Sequence, residues 1–138
     1  LSDIISSSSC LSVLHYNIQS LINKIDTLST EFGNFEIIAF SEIWLKASIS
    51  STDVTIPLFH TPERKDRVED GLGGVIVYLK ESLSYKRRND LEPKNIECIW
   101  IEVLLSQSKH ILFGVFYRPP NQNSTMKCRS VALTGTTT

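Results

Sequence analysis

The chain has 138 residues, 41% hydrophobic and 21% charged, which suits one domain with a buried core and leaves no room for a second. Its formal net charge of −1, from 14 Lys and Arg against 15 Asp and Glu, argues against a protein that grips nucleic acid by phosphate contacts alone. No apolar run is long enough to cross a bilayer, and the Ser-rich start has neither the basic residues nor the apolar block of a signal peptide, so an intracellular protein is expected.

Residues 1–10 read as a ragged leader, and a start at Leu1 instead of Met points to an incomplete N-terminus. Residues 11–16, Leu-Ser-Val-Leu-His-Tyr, form a short apolar run ended by Asn17 and read as a strand. The period then changes. Ile18, Leu21, Ile22, Ile25 and Leu28 fall on one face of a helix, which Gly33-Asn34 stops. Residues 35–40, Phe-Glu-Ile-Ile-Ala-Phe, are a second strand followed at once by Ser41-Glu42. Strand, helix, strand implies a parallel crossover.

Residues 46–72 are loop-like and hold a basic cluster, Arg64-Lys65-Asp66-Arg67. Gly73-Gly74 leads into a β-rich run at 75–79, and residues 84–87 make a short partner strand before a turn at 89–95. Residues 98–105 and 111–117 are two further strands, and the short polar link between them predicts an antiparallel hairpin. From 122 to 138 the pattern dissolves into Ser and Thr, so this tail is expected to be disordered or unrelated. The odd, scattered cysteines (Cys10, Cys98, Cys128) fit no zinc or disulfide framework, and reduced thiols are expected. His15, His60 and His110 show no metal-ligand spacing.

Three polar residues share one context: Asn17, Glu42 and Tyr117 each close or directly follow an apolar strand. In open α/β sheets ligands bind beyond the carboxyl ends of the strands. A carboxylate there is a hard oxygen ligand for Mg²⁺, an Asn amide can orient a phosphate or a bound water, and a Tyr hydroxyl can donate to phosphate. Each residue has a plainer reading as well: Asn17 as a helix N-cap, Glu42 as a solvated strand end, Tyr117 as a core-edge aromatic.

The order of motifs adds to this. Leu14-His15-Tyr16-Asn17-Ile18-Gln19-Ser20-Leu21 with Lys24 is similar to the opening motif of the endonuclease/exonuclease/phosphatase superfamily in its non-LTR retrotransposon branch. Ser41-Glu42-Ile43-Trp44-Leu45 resembles that branch's next motif, and the Arg64 to Arg67 cluster with Gly73-Gly74-Val75-Ile76-Val77-Tyr78 the one after. Cys98-Ile99-Trp100-Ile101-Glu102-Val103 and Phe113-Gly114-Val115-Phe116-Tyr117-Arg118-Pro119-Pro120-Asn121 resemble the two strands that follow. Leu72 stands where the branch often has a third glycine.

The resemblance covers residues 11–121 and implies the front half of a four-layer α/β sandwich, two mixed sheets flanked by helices. It implies a DNA endonuclease that nicks target DNA using Mg²⁺ or Mn²⁺, with DNA as partner, a reverse transcriptase domain in the intact polyprotein, and a nuclear location for that protein. Glu42 would bind the metal, Asn17 would help hold the metal or the scissile phosphate, and Tyr117 would contact that phosphate. Arg64, Arg67, Arg118 and Asn121 would be DNA contacts. The family's later Gly-Asp-x-Asn and Ser-Asp-His segments do not occur in these residues, so a partial domain, inactive alone, is expected. Two alternatives remain at this point: a non-catalytic DNA-binding or interaction module, and a phosphoesterase of the same superfamily acting on other substrates. Glu102, a further acid on a strand, is given no catalytic role.

Overall fold

The structure is a computed structural model and describes residues 11–67, 71–105, 109–118 and 129–137. The leader at 1–10, Asn121 and the cysteines Cys10 and Cys128 therefore lie outside the described residues. Two sheets, one α-helix and two short 3-10 helices, Ser51–Val54 and Asn89–Leu91, make up the regular structure among the described residues. The first sheet contains β1 (Val13–Asn17), β2 (Ile37–Ser41), β3 (Glu63–Lys65) and β4 (Val75–Leu79), in the order β1-β2-β4-β3. The second contains β5 (Ser84–Arg87), β6 (Glu97–Leu104), β7 (Lys109–Tyr117) and β8 (Arg129–Thr137), in that order.

β4, and β2 up to its closing Ser41, are unbroken apolar runs, and both strands are buried at every position. Such runs belong to strands covered on both faces. One face of the first sheet, Ile38, Phe40, Ile76 and Tyr78, packs on Leu28 of helix α1 (Ile25–Phe32) and on Val54, Ile56 and Phe59 of the long loop. The opposite face, Ile37, Ala39, Val75, Val77 and Leu79, meets Ile99, Ile101, Val103, Phe113 and Val115 from β6 and β7. In β6 and β7 buried and half-exposed residues tend to alternate, as expected for strands with one covered face. Each large apolar side chain fully removed from water contributes roughly 1.5–3 kcal/mol.

The crossover is as expected: β1 and β2 run parallel, with Val13 beside Ile37 and Asn17 beside Ser41. β6 and β7 pair antiparallel, Glu97 opposite Tyr117. The helix is shorter than the apolar spacing suggested. It starts at Ile25, while residues 18–24 are a loop that continues beside the end of β2. Ile18 N donates to Ser41 O, Ser20 N to Glu42 O and Leu21 N to Ile43 O, all at 3.0 Å. Ile18 and Leu21 are thus buried by strand-like docking, not by a helical face, and positive φ at Gln19 and Ser20 would break a helix there. Lys24 secures this loop, its Nζ donating to Ile18 O at 2.6 Å and Gln19 O at 2.7 Å.

Two strands were not expected. β3 lies within the segment read as loop; its Glu-Arg-Lys sequence is a charged edge strand, a type with no apolar signature. Residues 129–137, inside the tail read as disordered or unrelated, run as β8 along β7, with Val131 opposite Val115 and Leu133 opposite Phe113. The open edge of β7 offers the backbone partners, and a Ser- and Thr-rich strand shows little periodicity in sequence.

Candidate functional site

The parallel pairing of β1 and β2 brings Asn17 and Ser41 out side by side, with Glu42 next along the chain. β4 is antiparallel and begins opposite Ser41, so Gly73 and Gly74 reach the same edge. There Trp44 N donates to Gly73 O at 2.9 Å. β3 ends with Lys65 opposite Val75, which carries Arg67 to this edge as well. In the second sheet Glu97 opens β6 and Tyr117 lies opposite it in β7.

Stacking the two sheets joins these ends. Tyr117 Oη donates to the Glu42 carboxylate across 75 positions of sequence. Gly74 N donates to Glu97 Oε1. Arg67 holds the other Glu97 oxygen through Nε at 3.1 Å and Nη2 at 2.7 Å, and its guanidinium carbon stands 5.8 Å from the centre of the Tyr117 ring. Burial and the Glu42 carboxylate push the Tyr117 hydroxyl up to about 12, so it is a proton donor at neutral pH.

Two features mark this edge as more than a sheet border. Asn17 presents both amide atoms, Oδ1 and Nδ2, buried and without a hydrogen-bond partner, and Ser41 Oγ is in the same condition. A buried unsatisfied polar group costs about 1–3 kcal/mol. Among the described residues five non-glycine positions have positive φ, and four of them (Gln19, Ser20, Glu42 and Trp44) follow β1 or β2 at this edge. Conformations of that kind cost about 1–3 kcal/mol each and cluster at functional sites.

Asn17, Glu42 and Tyr117 come from strand ends of both sheets to one edge, with Tyr117 bonded directly to Glu42. The plainer reading of Asn17 as an N-cap does not hold, because the helix begins at Ile25 after Lys24. Arg64 is turned inward: it forks onto Asp66 at 3.0 and 2.5 Å and donates to Ile49 O and Lys46 O, locking the loop. Arg67 is bonded to Glu97, and Arg118 is exposed just after β7. A cleft of about 400 Å³ beside the edge is lined by Leu45, Lys46, Ala47, Arg64, Asp66, Arg67 and Gly71.

Glu102, given no role from sequence, bonds Arg88 at 2.7 Å and His110 at 2.9 Å on the outer face of the second sheet. Glu97 was missed. Its place opposite Tyr117 follows from the observed register, which pairs Leu104 with His110; the strand bounds expected from sequence, 98–105 and 111–117, leave it out.

The donor set suits a hard cation that keeps much of its water: one carboxylate from Glu42 and one amide oxygen from Asn17 with nothing else bonded to it. Among the described residues no group of three or more His, Cys, Asp or Glu forms a metal cage. No family model matches this chain, and no curated protein matches it.

Proposed function

We propose that this chain carries one side of a divalent-metal-dependent DNA endonuclease site, of the type found in non-LTR retrotransposon proteins, and that Glu42, Asn17 and Tyr117 are its working residues. The observation that carries the reading is the buried Asn17 amide, without a hydrogen-bond partner, beside Ser41 at the end of β2, where Glu42 follows at once. Mg²⁺ or Mn²⁺, when bound, offsets charge developing on a phosphodiester and on the departing oxygen. Glu42 and the Asn17 amide oxygen would hold it. Tyr117, protonated at neutral pH, donates to a phosphate oxygen once its hydroxyl turns from Glu42.

The base that activates water is assigned to no residue here, since the Gly-Asp-x-Asn and Ser-Asp-His segments are not in these residues. The further proposal is that helix α1 and the two sheets are three layers of a four-layer sandwich. Support comes from the outer face of β6 and β7, where Trp100 and Phe116 meet edge-on at 5.1 Å and are only partly covered. In the intact polyprotein a reverse transcriptase domain would use the nicked DNA end.

The test has two arms. Mn²⁺ titrated into the full chain should broaden backbone signals around Asn17 and Glu42, and Glu42→Gln should abolish this. Supercoiled plasmid with Mg²⁺ should be nicked no faster than without protein. Absence of saturable Mn²⁺ broadening would sink the site reading. Mg²⁺-dependent nicking abolished by Glu42→Ala would instead show a self-sufficient nuclease. The reading as a DNA-binding module is disfavoured by Arg64, Arg67, Arg87 and Arg88, each of which is bonded to a carboxylate.

A further inference from the structure

We propose that Arg67 and Glu97 are positioning residues that hold the Tyr117 ring in the place where its hydroxyl meets Glu42. The inference rests on the metal-site reading only for what Tyr117 is positioned to do. The geometry itself stands apart from it. Glu97 is fixed from two directions, by the backbone N–H of Gly74 on one oxygen and by the Arg67 fork on the other. Arg67, held in this way, lies against the Tyr117 ring at 5.8 Å. A chain of contacts thus runs from the glycine turn of the first sheet through Glu97 and Arg67 to the ring.

The energetics favour a positioning role over a stabilising one. The Arg67 and Glu97 side chains are only 18% and 14% exposed. A pair so far removed from water loses much of its attraction to desolvation, and apolar residues of similar size would serve stability as well or better. What a charged fork adds is direction: two bonds fix the plane and position of the guanidinium. The backbone is shaped to admit it. A Cβ on Gly73, which has φ +95°, would fall 2.4 Å from the Arg67 guanidinium carbon, so a side chain there would push the guanidinium out of its place. Leu72, at the position of the missing third glycine, is instead 49% exposed.

The experiment uses the full chain with ¹³C-ring-labelled tyrosine and ¹⁵N-labelled arginine, and Mn²⁺ as probe. Tyr117→Phe identifies the Tyr117 signal, and Tyr117→Leu, which removes the ring, identifies the ring-current shift of the Arg67 Nε–H. Wild type should show Tyr117 broadened by Mn²⁺. Glu97→Gln keeps the shape and the acceptor for Gly74 but weakens the fork; it should lose most of the Tyr117 broadening and of the Arg67 shift, while Mn²⁺ still broadens Asn17. Gly73→Ala should do the same by displacing Arg67. Wild-type broadening and ring-current shift retained in folded Glu97→Gln would overturn the positioning role and leave the metal reading intact. If wild type shows no Mn²⁺ effect the metal reading fails, and the Arg67 shift still decides: its loss in Glu97→Gln supports the bracket, its persistence refutes it. Circular dichroism checks folding, and should Gly73→Ala unfold, the isosteric Glu97→Gln carries the test.

Discussion

The two sheets of this molecule meet water differently, and the difference separates what stabilises the fold from what it presents. The first sheet is sealed at its centre: β2 and β4 are buried at all five positions, between α1 and the long loop on one side and the second sheet on the other. The second sheet gives its inner face to the shared core and keeps Trp100, Glu102 and Phe116 only partly covered on the other. Charge is sorted the same way. Around the first sheet's edge, arginines turn inward to lock loops, whereas Arg88, Glu102 and His110 form a surface network on the second.

The strongest test of this contrast pairs two phenylalanines. Phe40→Ala empties a fully buried site in the sealed sheet and should cost about 3–5 kcal/mol in urea unfolding. Phe116→Ala, on the open face, should cost about 1 kcal/mol, mostly its ring contact with Trp100. Equal losses would mean that the outer face is as well packed as the core.

Next in size is Arg87, which joins the two sheets by bonding Glu63 at 3.2 Å and Glu92 at 2.9 and 3.0 Å. Arg87→Met leaves the Glu92 carboxylate, only 5% exposed, without its cation and with the Trp100 N–H still bonded to it, and should cost roughly 2–3 kcal/mol. Arg88→Ala, on the surface network, should leave the unfolding midpoint nearly unchanged. A smaller loss is expected for Tyr117→Phe, about 1 kcal/mol for one hydrogen bond, measured in the same way.

The least effect is a titration. Burial first, then the Glu63 carboxylate, push the Tyr85 hydroxyl up to about 12. Its stabilising contribution is therefore complete below pH 10 and is lost as pH rises toward 12. Tyrosinate absorbance should show a delayed phase shared by Tyr85 and Tyr117, and Glu63→Gln should move only the Tyr85 part of it to lower pH.

Much of the architecture was legible because solvent leaves a periodic mark. Runs such as Ile-Ile-Ala-Phe and Val-Ile-Val-Tyr-Leu read as buried strands, and the short polar link between the two later apolar runs favours a hairpin. The mark misleads when a loop buries apolar residues at helical spacing by chance, as Ile18 and Leu21 do. It is absent from β3, whose charged side chains say nothing of pairing. Strand ends located Asn17, Glu42 and Tyr117, since where a strand stops is visible in sequence. Inward locks such as Arg64 on Ile49 O, or Arg67 on Glu97, depend on contacts across 15 and 30 residues, and no local signal encodes them.

The bond between Tyr117 and Glu42 has a kinetic consequence. A contact that closes a loop of 75 residues carries a high entropic cost and forms after the local pairings that shorten the distance. Asn17 and Glu42 can be aligned by β1 and β2 alone, but Tyr117 arrives only when the β6–β7 hairpin docks. The Tyr117–Glu42 contact is therefore expected to form late, with the docking of the two sheets. A chain that has collapsed without docking its two sheets would hold Asn17 and Ser41 in register and still lack the bond from Tyr117 to Glu42.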